Sequence, residues 1–280
     1  MREFIKTKYN LNDNELISAV DELPLWSAPF GIRLLEKINY KKNFIALDIG
    51  SGLGFPLLEV AMRLGNSCKV YGIDPWEVAV ERIKKKIKLY GITNVEILAG
   101  VAENIPLPDN SIDLIISNNG LNNVNDLTAV IKECSRISKI GSQFLFTFNT
   151  DKTMLEFYSE FEKLLLEENM LKEIQLMKEH IYKKRRPEEE YVELLNENGY
   201  AVNEICRDQF EYKFVDGSAM LNHFLITLSF IESWKALVPE ERQWEIFEEL
   251  ENRLNEKSRL SGSLILTVPF VLIDSEKTRV

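Results

Sequence analysis

The clearest pattern in the chain begins at residue 44. FIALDIG (44–50) is a short apolar run closed by glycine, as expected of a strand buried on both faces. Runs of the same kind recur as KVYGID (69–74), VEILAG (95–100), IDLIISN (112–118) and QFLFTFN (143–149). Between them the spacing becomes helical. FPLLEVAMRLG (55–65) ends on a glycine stop, WEVAVERIKKKIKLYG (76–91) sets Val80, Ile83 and Ile87 on one face, and LTAVIKECSRIS (127–138) completes the series. Residues 101–111 read as a loop with at most one turn of helix. Alternation of this kind predicts an α/β fold, a mostly parallel sheet with helices on both faces.

Beyond residue 150 the pattern changes. Residues 151–186 read as charged helix, and PEEEYVELLNENGY (187–200) as a helix opened by Pro187 and stopped by Gly199. A strand at about 201–214, helices at about 218–237 and 239–256, and a last strand in GSLILTVPFVLID (262–274) bring the strands to seven. Pro269 within that last strand predicts an edge position or a bulge. No repeat, low-complexity stretch or linker interrupts the chain, so one domain over residues 1–280 is expected.

Composition narrows the partners. The 280 residues are 45% hydrophobic, enough for a full core, and carry a net charge of −10. Such a surface repels phosphate backbones. The basic stretch Lys183 to Arg186 is offset at once by Glu188, Glu189 and Glu190, which reads as a solvated helix end. The three cysteines, Cys68, Cys134 and Cys206, and the two histidines, His180 and His223, show no metal-ligand spacing, so no metal is expected. Scattered thiols, no apolar signal core at the N-terminus and no run long enough for a bilayer predict a soluble cytoplasmic protein.

The chemistry concentrates at ALDIGSGLGF. Gly50, Gly52 and Gly54 let the backbone turn sharply and approach a ligand, and the following helix points its first amides at that ligand. Asp48, two residues before Gly50, places a carboxylate where an ammonium group could meet it; a pyrophosphate would gain nothing there. Asp74 closes the second strand, where an acid can accept hydrogen bonds from both ribose hydroxyls; before Pro75 it also suits a helix cap.

At these residues the sequence resembles the class I S-adenosylmethionine-dependent methyltransferases (methyltransferase type 11-like, small-molecule branch). The family's acid followed by G-x-G-x-G matches Asp48 to Gly54, and its acid at the end of the second strand matches Asp74. GVAENIPLPDNSIDLIISNNGLNNVND (100–126) is similar to the family's G-D-A-x-x-L-P-F-x-D-x-S-F-D pattern and the strand after it. The resemblance covers roughly residues 45–149. A dinucleotide oxidoreductase would carry G-x-G-x-x-G instead.

The resemblance implies a Rossmann-like seven-stranded sheet, with N-terminal and C-terminal helical additions forming a lid. Residues 40–150 would be the cofactor-binding half. Residues 151–280 would hold the remaining strands and a substrate-side insert at about 215–260. Gly50, Ser51, Gly52 and Gly54 would line the methionine part of S-adenosylmethionine. Asp48 would meet its amino group, Asp74 the ribose, and Pro75 and Trp76 the ribose and adenine. Val101, Ala102 and Glu103 would border the adenine, and Asn118 the methionyl end. Two departures stand out. Val101 replaces an acid that many relatives direct at the adenine amino group. LNNVND (121–126) stands where many small-molecule relatives have L-H-H-V-x-D, so Asn122 and Asn123, which do not titrate near neutral pH, replace imidazoles.

The expected activity is in-line methyl transfer to an oxygen, nitrogen or carbon centre of a small molecule, with S-adenosylhomocysteine as product. Such a displacement depends chiefly on alignment, and a base is required only when the acceptor must lose a proton; no catalytic residue is assigned. Segments 21–31, 151–186 and 215–260 are candidates to cover the acceptor. Tyr9, Trp26, Asn119, Phe148, Asn149 and His223 are the acceptor-side candidates, although His223 in AMLNHFLITLSF also suits a packed core histidine. The competing readings are a methyltransferase acting on RNA or protein, and a non-catalytic S-adenosylmethionine-binding module. The acidic balance and the absence of an N-P-P-Y-type tetrapeptide at 118–121 disfavour base methylation. Monomer and homodimer both stay open.

Overall fold

The computed structural model describes residues 3–21 and 25–279. Residues 22–24 of the expected covering segment 21–31 therefore lie outside the described residues.

Two helices, α1 (Asn14–Val20) and α2 (Ser27–Lys37), precede the alternating series. That series runs β1 (Ile45–Ile49), α3 (Leu57–Leu64), β2 (Lys69–Asp74), α4 (Glu77–Tyr90), β3 (Val95–Ala99), β4 (Ile112–Asn118), α5 (Leu127–Ile137) and β5 (Ser138–Asn149). It continues with α6 (Leu155–Glu167), α7 (Leu171–Lys184), α8 (Glu188–Glu197) and β6 (Tyr200–Phe214). Three short helices follow, α9 (Gly217–Leu221), α10 (Phe224–Ser229) and α11 (Ile231–Lys235), then α12 (Glu240–Ser261) and β7 (Leu264–Lys277).

The strands form one seven-stranded sheet in the order β3-β2-β1-β4-β5-β7-β6. The pairs among β1 to β5 are parallel, and β7 runs antiparallel to β5. The strand order reverses between β1 and β4, so the C-terminal ends of these strands flank the crevice where open α/β sheets bind ligands.

Side-chain alternation divides the core between the two faces. Ala46, Leu114 and Ile116 pack with α2, α3 and Ile83 of α4. Leu47, Ile49 and Ile115 pack with α5 and with Tyr191 and Leu195 of α8.

Three expectations need correction. The helical stretch 151–186 is two helices, because Asn169 turns left-handed at φ 56° between them. The single helix expected at 218–237 is three, since His223 and Phe230 leave helical geometry. Pro269 marks no edge: β7 lies between β5 and β6. Its ladder with β5 begins at Phe270, so the missing proline N–H falls just outside that ladder.

The described residues fall into two compact units. One lies within Asn12–Thr150, Arg185–Asp208 and Phe270–Val280, and the other within Met1–Leu11, Asp151–Lys184 and Gln209–Pro269. The second has an aromatic core in which Trp234 stacks on Phe157 at 3.9 Å and donates its indole N–H to the Tyr158 hydroxyl at 2.9 Å. Among the described residues no helix is long and apolar enough to cross a membrane.

Candidate active site

The β1–α3 turn is held by backbone hydrogen bonds and by left-handed glycines. The Gly50 and Ser51 amides both donate to the Ile73 carbonyl of β2, at 3.0 and 3.3 Å. Gly50, Gly52 and Gly54 have φ of 74°, 50° and 100°, a region that favours glycine. A Cβ on Gly50 would meet the Cα of Gly120 at 3.0 Å, so the turns after β1 and β4 are in contact. A Cβ on Gly52 would meet nothing nearer than the Gly50 carbonyl at 4.0 Å, so this position faces open space.

Asp74 at the end of β2 fastens that turn. Its Oδ2 accepts from the Gly52 amide and its Oδ1 from the Trp76 amide, each at 2.8 Å. The helix-cap role and the loop-holding role thus belong to one carboxylate, and each oxygen keeps a lone pair for another donor. Pro75 is exposed and Trp76 half-buried beside it.

Asp48 behaves differently. It is fully buried on the α2–α4 face of β1; the Leu57 backbone amide lies nearby, but neither carboxylate oxygen completes a hydrogen bond of ordinary geometry. Burial, and after it the nearby Asp74 carboxylate, push its pKa well above the usual carboxylate range. The buried Ser51 hydroxyl next to it in the turn is likewise unpartnered.

After β3, Val101 is exposed and Ala102 buried. Glu103 Oε1 accepts from the Asn125 and Asp126 amides at 2.9 and 3.2 Å, which fixes the loop before α5.

The ends of β4 and β5 carry a network of amides. Asn118 donates to the Ser27 carbonyl at 3.0 Å and accepts from the Thr147 hydroxyl at 3.2 Å. Asn119 sits left-handed at φ 58°. Its side-chain oxygen accepts from Asn122 Nδ2 at 2.7 Å and from the Asn149 amide at 3.2 Å. Asn122 Nδ2 also donates to Asn149 Oδ1 at 2.5 Å, and Asn122 Oδ1 accepts from the Tyr191 hydroxyl at 3.2 Å. Burial pushes the Tyr191 pKa up, so the phenol stays a donor. Of the two asparagines that replace imidazoles, Asn122 is the buried one, and Asn123 is exposed.

The remaining candidates separate by unit. Phe148 is core: it is 1% exposed and stacks on Tyr191 at 4.2 Å. Trp26, just before α2, meets Phe30 edge-on at 5.5 Å. In the other unit, Tyr9 and His223 gather on α10. The Tyr9 ring meets Phe224 edge-on at 5.4 Å, and its hydroxyl lies 3.3 Å from that of Thr227, which also bonds the His223 carbonyl. The buried Nδ1 of His223 has no partner.

Sequence reasoning missed Thr147 and Tyr191, and also Asp21 and Lys86 at the glycine turn. Tyr191 lies in the amphipathic helix EEEYVELL, where nothing distinguishes it from an ordinary core aromatic.

With this geometry in place, the relatives are informative. A family model described as a methyltransferase domain matches residues 40–253. The demethylmenaquinone methyltransferase of Geobacillus stearothermophilus is 35% identical over 108 residues, 39% of this chain and 46% of that protein. The chain thus spans about half the length of the curated relatives it matches. Geranyl diphosphate C-methyltransferase of Streptomyces coelicolor A3(2) has a similar fold, with TM-score 0.57 and 14% identity over 92% of this chain and 83% of that one. An S-adenosylmethionine-dependent methyltransferase from Aquifex aeolicus matches at TM-score 0.50 and 21% identity, over 71% of this chain and 92% of that one. With its glycine turn, its two acids and this match over most of its length, the chain belongs to the methyltransferase domain family.

Proposed function

We propose that the chain transfers a methyl group from S-adenosylmethionine to a small-molecule acceptor. The observation that carries this reading is Asp48, buried without a hydrogen-bond partner at the foot of the three-glycine turn. A buried unpaired carboxylate is costly, and an ammonium ligand is the group that would offset the cost.

The other residues fit the same ligand. Gly50, Ser51, Gly52 and Gly54 would line its methionine part, with Gly52 facing open space. Asp74 would offer its remaining lone pairs to the ribose hydroxyls, and Pro75 and Trp76 would flank the ribose and adenine. Glu103 is engaged with the 125–126 loop, so the adenine edge would be read by the Ala102 backbone beside Val101. Asn118 would border the methionyl end.

S-adenosylmethionine supplies an electrophilic methyl on a positively charged sulfur. The chain's residues would contribute alignment. Asn119, Asn122 and Asn149 are neutral amides held in fixed orientations, and Tyr191 keeps its proton, so this network orients without exchanging protons. Trp26 remains an acceptor-side candidate within this unit, and Tyr9 and His223 are separate candidates within the other.

Two of the similar proteins are named for small-molecule acceptors, a demethylated menaquinone and geranyl diphosphate, and the net charge of −10 disfavours a nucleic-acid acceptor. The test is incubation with methyl-labelled S-adenosylmethionine and separate metabolite, RNA and protein fractions. Label is expected in the metabolite fraction. Label confined to RNA or protein overturns the acceptor class, and no transfer to any fraction favours a binding module.

A further inference from the structure

We propose that Lys86 is a positioning residue for the glycine turn, and that Asp21, directly after α1, is tied to the same point. The proposal rests on the reading of that turn as the cofactor site.

The peptide joining Leu53 to Gly54 follows Gly52 at φ 50° and leads into Gly54 at φ 100°. Glycine on its C-terminal side frees one of the two torsions that set this peptide's orientation, so an external anchor on its carbonyl helps the turn to present one surface. Here both ends of the peptide are held. The Gly54 amide donates to the Ser51 carbonyl at 2.8 Å, and the Leu53 carbonyl accepts from Lys86 Nζ at 2.8 Å.

Lys86 lies on α4, the helix that follows Asp74. One turn earlier on α4, Ile83 reaches the same loop: a Cβ on Gly54 would stand 3.3 Å from its Cγ1. α4 therefore supports the turn through one apolar and one charged contact. The Lys86 ammonium is shared with Asp21 Oδ1 at 2.5 Å, and Asp21 Oδ2 accepts from Arg82 Nε at 3.0 Å. The Lys86 and Asp21 side chains are only 15% and 10% exposed, so this pair is better shielded than an ordinary surface salt bridge.

The neighbouring lysine shows the contrast. Lys84 pairs with Glu81 in the next turn of the helix, with both side chains more than half exposed. Two positions apart on the helix, Lys84 and Lys86 point to different sides, and only Lys86 of the two reaches the loop. Without Lys86 the Leu53 carbonyl would lose its partner and Asp21 one of its two cations.

The test compares Lys86→Met, Lys86→Arg and Asp21→Asn with the wild type. Three quantities are read: S-adenosylhomocysteine affinity by calorimetry, the melting midpoint, and amide hydrogen exchange over residues 50–54 without ligand. Lys86→Met should weaken binding about tenfold, the scale of a charged hydrogen bond, and speed exchange in the turn. Lys86→Arg should recover most of both, and Asp21→Asn should fall in between. If Lys86→Met does not fold, Lys86→Gln reads the same quantities. A lower melting midpoint with unchanged affinity and unchanged exchange in the turn means a structural role only and overturns the proposal. If the wild type does not bind S-adenosylhomocysteine, the cofactor reading fails, while loop exchange in the ligand-free variants still decides whether Lys86 orders the turn.

Discussion

The end of β1 and the ends of β4 and β5 border the same crevice but treat buried polar groups in opposite ways. Asp48 is enclosed with no partner for either oxygen, and Ser51 beside it is in the same condition. Asn118, Asn119, Asn122 and Asn149 are buried too, yet each is bonded to another group of the crevice. A satisfied network contributes to folding and fixes its own orientation. An unsatisfied carboxylate opposes folding and has to be carried by the rest of the core. On the proposed reading, the difference separates a surface that would orient a guest from a group whose partner would come with the guest.

The largest effect expected from breaking the comparison is on the turn side. Gly52→Val puts a β-branched residue at φ 50° and directs its side chain into the open space above the turn. S-adenosylhomocysteine binding, followed by calorimetry, should disappear; an intact isotherm would remove the turn from the site.

On the network side, Asn122→Ala would leave Asn119 Oδ1, Asn149 Oδ1 and the Tyr191 hydroxyl without their shared partner. Stability in urea should fall by roughly 1–3 kcal/mol, the cost of losing these buried hydrogen bonds, although Asn119 Oδ1 keeps the Asn149 amide. A variant as stable as the wild type would mean that water or rotation satisfies them.

Asp74→Ala removes two backbone tethers and the acid proposed for the ribose. S-adenosylhomocysteine affinity should drop by about 1–2 kcal/mol, in the range of a charged hydrogen bond. Unchanged affinity would detach Asp74 from the ligand.

A further expected effect, read as a slope rather than as a loss, is a pH dependence. Asp48 has a raised pKa in the folded protein, so the folded state holds its proton more tightly than the unfolded chain. Its contribution to stability is full below the unfolded carboxylate pKa, about 3.9, and is lost as pH rises through the folded value. Asp48→Asn should remove that loss, making urea stability fall less with pH than in the wild type. Equal slopes would show that Asp48 is not held in an unfavourable environment.

The comparison also shows which features sequence can carry. The bounds of β2 and β4 are those expected from their apolar runs, because period and glycine punctuation are local signals. The turn and both acids were legible for the same reason. The breaks at Asn169 and at His223 were not, since neither residue type forbids helix. The edge expectation at Pro269 failed because a proline reports one missing donor and not the neighbours of its strand. Lys86 and Tyr191 were hidden more deeply. Each acts on a residue distant in sequence, Leu53 and Asn122, and helical patterning identifies a face without identifying what that face meets.

The most direct measurement is calorimetric titration of S-adenosylhomocysteine into the wild type and Asp48→Asn, repeated in buffers of different ionisation enthalpy. The ligand's ammonium should lower the Asp48 pKa, so wild-type binding should release protons. The Asn variant should bind about tenfold more weakly, as for loss of a charged hydrogen bond, and without that release. Equal affinity and equal proton release in the two proteins would contradict the assignment of Asp48 as the group awaiting the ligand.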